Sequence, residues 1–382
     1  MRRLRKIHDN SIVKEMLGST SFDPPALKCL SNNIKELIKN HSRVLICDKG
    51  RLCFDGLLEC CDDLQIPQND WMLAACIFSC FFEPGYLLRA DQFSLVELLR
   101  FAARMAISQE EAKKTIFSIG FGASDAKFLS ARKPVYLIPA LKIMSEFAKN
   151  GLEVPKLRIF HAHHVGILVN NLDREQVLAN TGKSALILQM FIKEFYPYLF
   201  DSCIFGFDPD PTLYIDKAIT FCEELKTFET TEDVEMVISE LTNLHRRAKK
   251  IDAMKYSFAH PIVFGDFYCL EDGVPDGLTG IDNIETVISF GGQPERLFNW
   301  MRRYFANHER LRDYHKRRTI MLNIPIGSCP VYYPLPSEPV FGNLKPNWMK
   351  AGFSEKVARD YEALPDHYED WAIEIQKSIG GD

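Results

Sequence analysis

The sequence predicts an α/β fold, a doubly wound and largely parallel sheet with a mainly helical N-terminal extension. Three observations predict it. Residues 115–120 form a β-branched and aromatic run that breaks at the small, turn-forming Gly122-Ala123-Ser124, and a helical apolar period follows at Leu137, Leu141, Met144 and Phe147. Short apolar runs then keep alternating with longer helical ones as far as residue 316, the pattern of parallel strands joined by crossover helices. Composition agrees: 382 residues, 46% hydrophobic and 25% charged, suit one large domain with extensions.

Taken in order, residues 1–112 read as mainly helical, with a candidate strand at 43–47 and breaks at Pro24-Pro25, Pro67 and Pro84-Gly85. Residues 93–107 keep a helical period and lead through a charged turn into the first core strand. This extension carries no chemical motif and reads as packing for the same domain. The helix after Ser124 closes at Asn150-Gly151, a C-cap pair. Residues 156–169 begin as a second strand, LRIFHAHHV at 157–165. Asp173 is placed to cap a long helix reaching about Leu199, with Val177, Ala185, Leu188, Ile192 and Phe195 on one side. A third strand at 202–207 ends at Asp208-Pro209, and a fourth at 286–290 precedes Gly291-Gly292 and a helix at 295–316. Between them lie a helical period at 232–254, an apolar segment at 256–267 and a loop at 273–280. Prolines recur from Pro325 onward until a last amphipathic helix near 366–378. The expected divisions are residues 1–112, 113–323 and 324–382.

Charge and cysteine usage narrow the function classes. A net charge of −5 demands no polyanionic partner globally. Eleven cysteines without any CxxC pair, two of them (Cys76, Cys80) in an apolar run, read as reduced thiols. The basic start of the chain is followed at once by Asp9 and Glu15, which fits no leader, and no apolar run approaches a membrane span. A cytoplasmic protein is expected.

Four local patterns bear on chemistry. Thr181-Gly182-Lys183-Ser184 ends like a phosphate-binding loop, but Val177 stands where that loop needs its first glycine, and the context is a helix. His161 and His163 in the HAHH run share one face of the expected strand, as lining of a substrate crevice or as a metal pair lacking a third ligand. Gly122-Ala123-Ser124 is half of a nucleophile elbow, with Ala126 where the second glycine belongs; Ser124 is either a helix cap or a nucleophile. Residues 296–318 concentrate Arg302, Arg303, Arg310, Arg312, Lys316, Arg317 and Arg318 among aromatics, as a phosphate-binding face or as a solvated helix face partly offset by Glu295, Glu309 and Asp313.

Together the segments SIGFGAS, KPVYLIPALKIMSEF and ISFGGQPERLFNWMRR resemble the catalytic domain of tyrosyl-type class I aminoacyl-tRNA synthetases. The likeness is closer to cyclodipeptide synthases, which share that Rossmann-like fold, and closest to the divergent fungal arginine-containing ones. Lys133-Pro134-Val135-Tyr136 occupies the place of the synthetase HIGH signature, and no KMSKS-like loop follows. The resemblance therefore implies a fold kept without ATP activation, acting on amino acids already esterified to tRNA.

In that family a serine in a GxS turn after the first strand is the nucleophile, which implies Ser124. Residues 256–264 resemble the family's YxxAE-P-xF signature, with Tyr256 kept and His260 in place of the glutamate; Phe290 is the nearest match to a later tyrosine. A histidine can take the proton a glutamate would take but offers no negative charge to an ammonium, so Asp208 and Asp266 are the candidate acids. The resemblance thus implies catalysis by Ser124, Tyr256 and His260. Substrate would be bound by Gly122, His161, His163, Asp208, Asp266 and Phe290, and tRNA by Arg302, Arg303, Arg310, Arg317 and Arg318. It implies no metal, ATP or redox cofactor, aminoacyl-tRNAs as partners with arginyl-tRNA first, and a diketopiperazine product. Three rivals stand beside it: an aminoacyl-tRNA transferase to another acceptor, a non-catalytic protein that binds tRNA or an amino acid, and a nucleotide-dependent ligase with a degenerate ATP site.

Overall fold

The computed structural model describes residues 45–46, 52–81, 88–89, 92–122, 133–163, 167, 173–207, 283–291, 318–323 and 365–379. Among the described residues the centre is a sheet of seven strands: β1 (Leu45–Ile46), β2 (Leu88–Arg89), β3 (Thr115–Gly122), β4 (Lys156–Ala162), β5 (Cys203–Phe207), β6 (Thr286–Gly291) and β7 (Arg318–Asn323). The order is β1-β2-β7-β6-β3-β4-β5. From β7 to β5 every pairing is parallel, while β2 runs antiparallel to β7 and carries β1 parallel to itself. The described helices are α1 (Leu52–Asp63), α2 (Trp71–Ser79), α3 (Gln92–Ile107), the single turn α4 (Glu110–Lys113), α5 (Ile138–Lys149), α6 (Arg174–Phe195) and α7 (Tyr368–Ile379). The architecture is the expected α/β one.

Local signals account for the ends of the two central helices. The Asp173 carboxylate accepts the Gln176 amide at 2.8 Å and caps α6. At the end of α5, Gly151 takes a left-handed φ of 67°. The Leu152 amide then donates to the Phe147 carbonyl and the Gly151 amide to that of Ala148, at 2.9 and 3.0 Å, the two bonds of a Schellman cap.

Period two divides the sheet into unlike faces. One carries Phe117, Ile119 and Phe121 on β3, Leu157 and Ile159 on β4, Ile288 and Phe290 on β6, and Ile320 and Leu322 on β7. These join a single core with Leu141, Met144 and Phe147 of α5 and Ile187, Leu188 and Phe191 of α6. Phe81, Leu98 and Phe101 bring the α1 to α3 region into the same core, and Tyr368 and Trp371 of α7 pack on Phe191 and Phe195. Phe117 sits among Phe81, Phe147 and Phe290 at ring separations of 6.1, 6.3 and 5.3 Å; emptying such a site costs about 3–5 kcal/mol. The other face is more polar, with Ser118, Arg158, Ser289 and Thr319 buried beside a small cluster of Ile116, Ile284 and Val287. There Ser118 lies in register with Arg158, whose Nε and Nη2 both donate to the serine oxygen, at 3.2 and 2.6 Å. Its guanidinium also lies 4.8 Å from the centre of the Phe160 ring.

Three expectations change. The second strand stops at Ala162, three residues short of the expected end at Val165. Residues 318–323, given no strand from sequence, form β7 and lie inside the sheet. A six-residue segment with only Ile320, Met321 and Leu322 apolar reads as strand or helix equally well until it has neighbours. The candidate strand at 43–47 is present as β1, but Leu88 and Arg89 also pair, which local sequence does not signal.

Candidate functional site

β3 is the strand at which the sheet reverses. The chain steps from β3 to β4 and β5 on one side, then returns to β6 and β7 on the other. Open α/β sheets bind ligands outside the carboxyl ends of their strands at such a reversal. Here that edge is formed by Phe121 and Gly122 of β3, His161 and Ala162 of β4, Phe207 of β5 and Phe290 and Gly291 of β6.

Register builds an aromatic row along this edge. Phe121, His161 and Phe207 are directly paired across β3, β4 and β5, so their side chains leave the same face of the sheet. The Phe121 and His161 rings stack at 5.4 Å and His161 and Phe207 lie 6.0 Å apart. Tyr136 meets Phe121 edge-on at 6.2 Å, from the short 3-10 helix Lys133–Tyr136. His163 meets Phe207 edge-on at 5.5 Å. Most of this row is enclosed, but Phe207 is 50% exposed and presents a ring surface to solvent.

The two histidines are held differently. His161, buried, has its Nε2 3.1 Å from the Ser184 hydroxyl of α6. His163 Nδ1 lies 3.3 Å from the His161 carbonyl oxygen; a carbonyl only accepts, so this nitrogen carries a proton. Ser184 belongs to the Thr181-Gly182-Lys183-Ser184 pattern. Both Thr181 and Ser184 are buried on the inner side of α6 while Gly182 and Lys183 are exposed, so the pattern is a helical face and not a phosphate loop. Among the described residues no three metal-ligating side chains gather.

The sequence-derived residues fall into three groups. His161 and His163 come together at the carboxyl edge and Gly122 ends β3 there. Phe290 is 1% exposed with its ring against Phe117, so it is a core side chain and not the crevice lining expected of it. Arg318 also needs correction. Sequence places it on a basic helix facing phosphates, but it opens β7 at the amino edge, the far end of the sheet from the row. Its Nη2 lies 3.0 Å from Glu285 Oε2 and 3.3 Å from Glu111 Oε1, and its Nε donates to Thr286 Oγ1 at 3.1 Å. Its charge is answered there by two carboxylates. Ser124, Tyr256, His260, Asp208, Asp266, Arg302, Arg303, Arg310 and Arg317 lie outside the described residues.

The sequence does not single out Phe121, Tyr136, Ser184 or Phe207 as site residues. A signal is present in Phe117-Ile119-Phe121, Ile159-His161 and Phe205-Phe207, each alternating with period two. Only the register aligns their last members.

Cys60, Cys61, Cys76, Cys80 and Cys203 form no disulfide, and the first four are buried. Burial pushes the thiols of Cys61 and Cys203 up to about 12, which leaves them protonated and poor nucleophiles.

No family model matches the sequence, and neither does any curated protein. Among solved structures the chain is similar to the crystal structure of Plasmodium falciparum tryptophanyl-tRNA synthetase, at 12% identity and a TM-score of 0.32, over 82% of this chain and 94% of that one. A likeness of that size carries no argument, and the fold rests on the sheet itself. Among the described residues no helix is long and apolar enough to cross a membrane.

Proposed function

We propose that the protein is a tRNA-dependent cyclodipeptide synthase of the arginine-containing kind, working at the carboxyl edge of β3. The observation that carries the reading is that the strand running into Gly122-Ala123-Ser124 is the one at which the sheet order reverses. The half-exposed ring of Phe207, at the end of the stack with His161, supports the reading, because an aromatic face suits the bases of an RNA terminus and the flat guanidinium of arginine.

In the proposed reaction the Ser124 hydroxyl attacks the carbonyl carbon of a first aminoacyl ester. A serine ester forms, the bond to the tRNA ribose breaks, and the tRNA departs with the proton on its hydroxyl. His260 is the base that takes and returns that proton, and Tyr256 positions the substrate amine. The amine of the second aminoacyl-tRNA then displaces Ser124, making a dipeptidyl-tRNA. The free amine of that dipeptide attacks its own ester, which releases the second tRNA and the diketopiperazine. Esters supply the driving force at each step, so the scheme uses neither ATP nor a metal. Asp208 and Asp266 are the proposed acids for the guanidinium, and Arg302, Arg303, Arg310 and Arg317 the proposed contacts to tRNA phosphates.

The test is mass spectrometry of small molecules from cells expressing the protein, beside cells expressing Ser124→Ala. A diketopiperazine present only with the unaltered chain is the expected result, and its mass identifies both amino acids. An amino acid joined to a different acceptor would replace this reading by the transferase one. RNA co-purifying without any new product, and unaffected by Ser124→Ala, would replace it by the binding one.

A further inference from the structure

Helix α6 carries an exposed apolar stripe on its outer face. Val177, Ser184, Leu188 and Phe191 face the core and are buried. On the opposite side, Leu178, Leu186 and Met190 are 40%, 55% and 37% exposed. With 3.6 residues per turn these three follow one another along the outer face together with Gly182, where an added Cβ would meet nothing within 4 Å. The stripe begins at exposed Glu175 and ends at exposed Lys193, in line with each other on the same face. Lys193 keeps its ammonium 4.6 Å from the centre of the Phe200 ring of its own chain, which fixes its position without covering it.

This arrangement is complementary to itself. We propose that the outer face of α6 is the interface of a two-fold homodimer in which the helices of two copies pack antiparallel. A two-fold axis at the level of Ser184 brings Glu175 of each copy to Lys193 of the other. It also brings Leu186 of each copy to Gly182 of the other, so that the most exposed of the three apolar side chains fills the gap left by the missing one. The 22 residues of α6 give a ridge about 33 Å long for this contact. Charge selects the occupant: acid at one end and base at the other is matched by the same helix reversed, and a parallel pairing would set like charges together. The interface would lie on the outer side of the helix whose inner side holds Ser184 against His161.

Sedimentation velocity of the full chain across the micromolar range tests the proposal. The expected result is a reversible monomer–dimer equilibrium. Leu186→Arg, which drives a cation into the Gly182 gap, should raise the dissociation constant by about a hundredfold. Glu175→Lys and Lys193→Glu should each raise it by about tenfold, and the doubly reversed chain should return to within about threefold of the original. Leu186 and Glu175 are exposed, so at concentrations where the chain is monomeric the melting curves of Leu186→Arg and Glu175→Lys should stay unchanged, while Lys193→Glu also loses the contact with the Phe200 ring; should Leu186→Arg fold poorly, the charge reversals carry the test alone. A monomer at every concentration would overturn the proposal. So would a dimer indifferent to Leu186→Arg, a double reversal no better than the singles, or capture of a different protein by a chain that stays monomeric alone.

Discussion

At the amino edge of the sheet Arg318 lies between Glu111 and Glu285, Glu111 also accepts from Arg104 at 2.9 Å, and Glu285 from Lys114 at 2.6 Å. At the carboxyl edge β3, β4 and β5 end instead in Phe121, His161 and Phe207, with His161 hydrogen-bonded to Ser184. The amino edge gathers formal charges and answers each with its opposite, so it joins α3, α4, β6 and β7 and leaves little for a ligand. The carboxyl edge holds a buried stack of rings that ends in one half-exposed phenylalanine, a group that gains when something flat covers it. A cluster of charge is thus the structural end of this sheet and a cluster of rings the chemical end.

Substitutions at the two edges should separate stability from function. The largest stability effect is expected from Glu111→Ala, which leaves Arg104 and Arg318 without a carboxylate that is only 11% exposed. It should cost about 2 kcal/mol in urea unfolding and leave substrate affinity unchanged; a fall in affinity would break the division of labour. Phe207→Ala should do the reverse, costing less than about 1 kcal/mol because the ring is already half exposed. On the proposed reading it should weaken aminoacyl-tRNA binding by about tenfold, in a filter-binding titration. An unchanged affinity would remove Phe207 from the site.

The smallest effect concerns pH at the amino edge. The hydrogen bond from Lys114, and then the charges of Lys114 and Arg318, hold the Glu285 carboxyl below the usual carboxylate range. A carboxyl whose folded value is depressed adds stability above its unfolded value, and the contribution is lost as pH falls through the folded one. Glu285→Gln should therefore flatten the acid limb of the stability profile while changing neutral stability little, since the side chain is 46% exposed and its pairs are screened. An acid limb identical to that of the unaltered chain would assign the loss to other carboxylates.

Half of the candidate site is legible in the amino-acid sequence. His161 and His163 stand out as polar residues on an apolar strand, and the glycine turn after β3 as a strand's carboxyl end. Their partners do not, because Phe207 is one phenylalanine among many until β5 pairs with β4, and Ser184 looks like part of a phosphate loop until α6 turns it inward. Arg318 is misplaced for a related reason. A run of bases suggests a solvated helix, and nothing local reveals the two glutamates waiting at distant positions in the chain.

Sequence alone determined what short-range sterics and periodicity control. The strands at β3, β4, β5 and β6, the Asp173 cap of α6, the left-handed Gly151 and the helical period of α3, α5 and α7 all follow from preferences spanning a few residues. Tertiary structure decided which strands became neighbours and in what register. It brought β7 inside the sheet, placed Phe121, His161 and Phe207 in one row, and closed Arg318 between Glu111 and Glu285. Register is a property of two strands at once, fixed by the faces they bury together, so it cannot be read from either strand on its own.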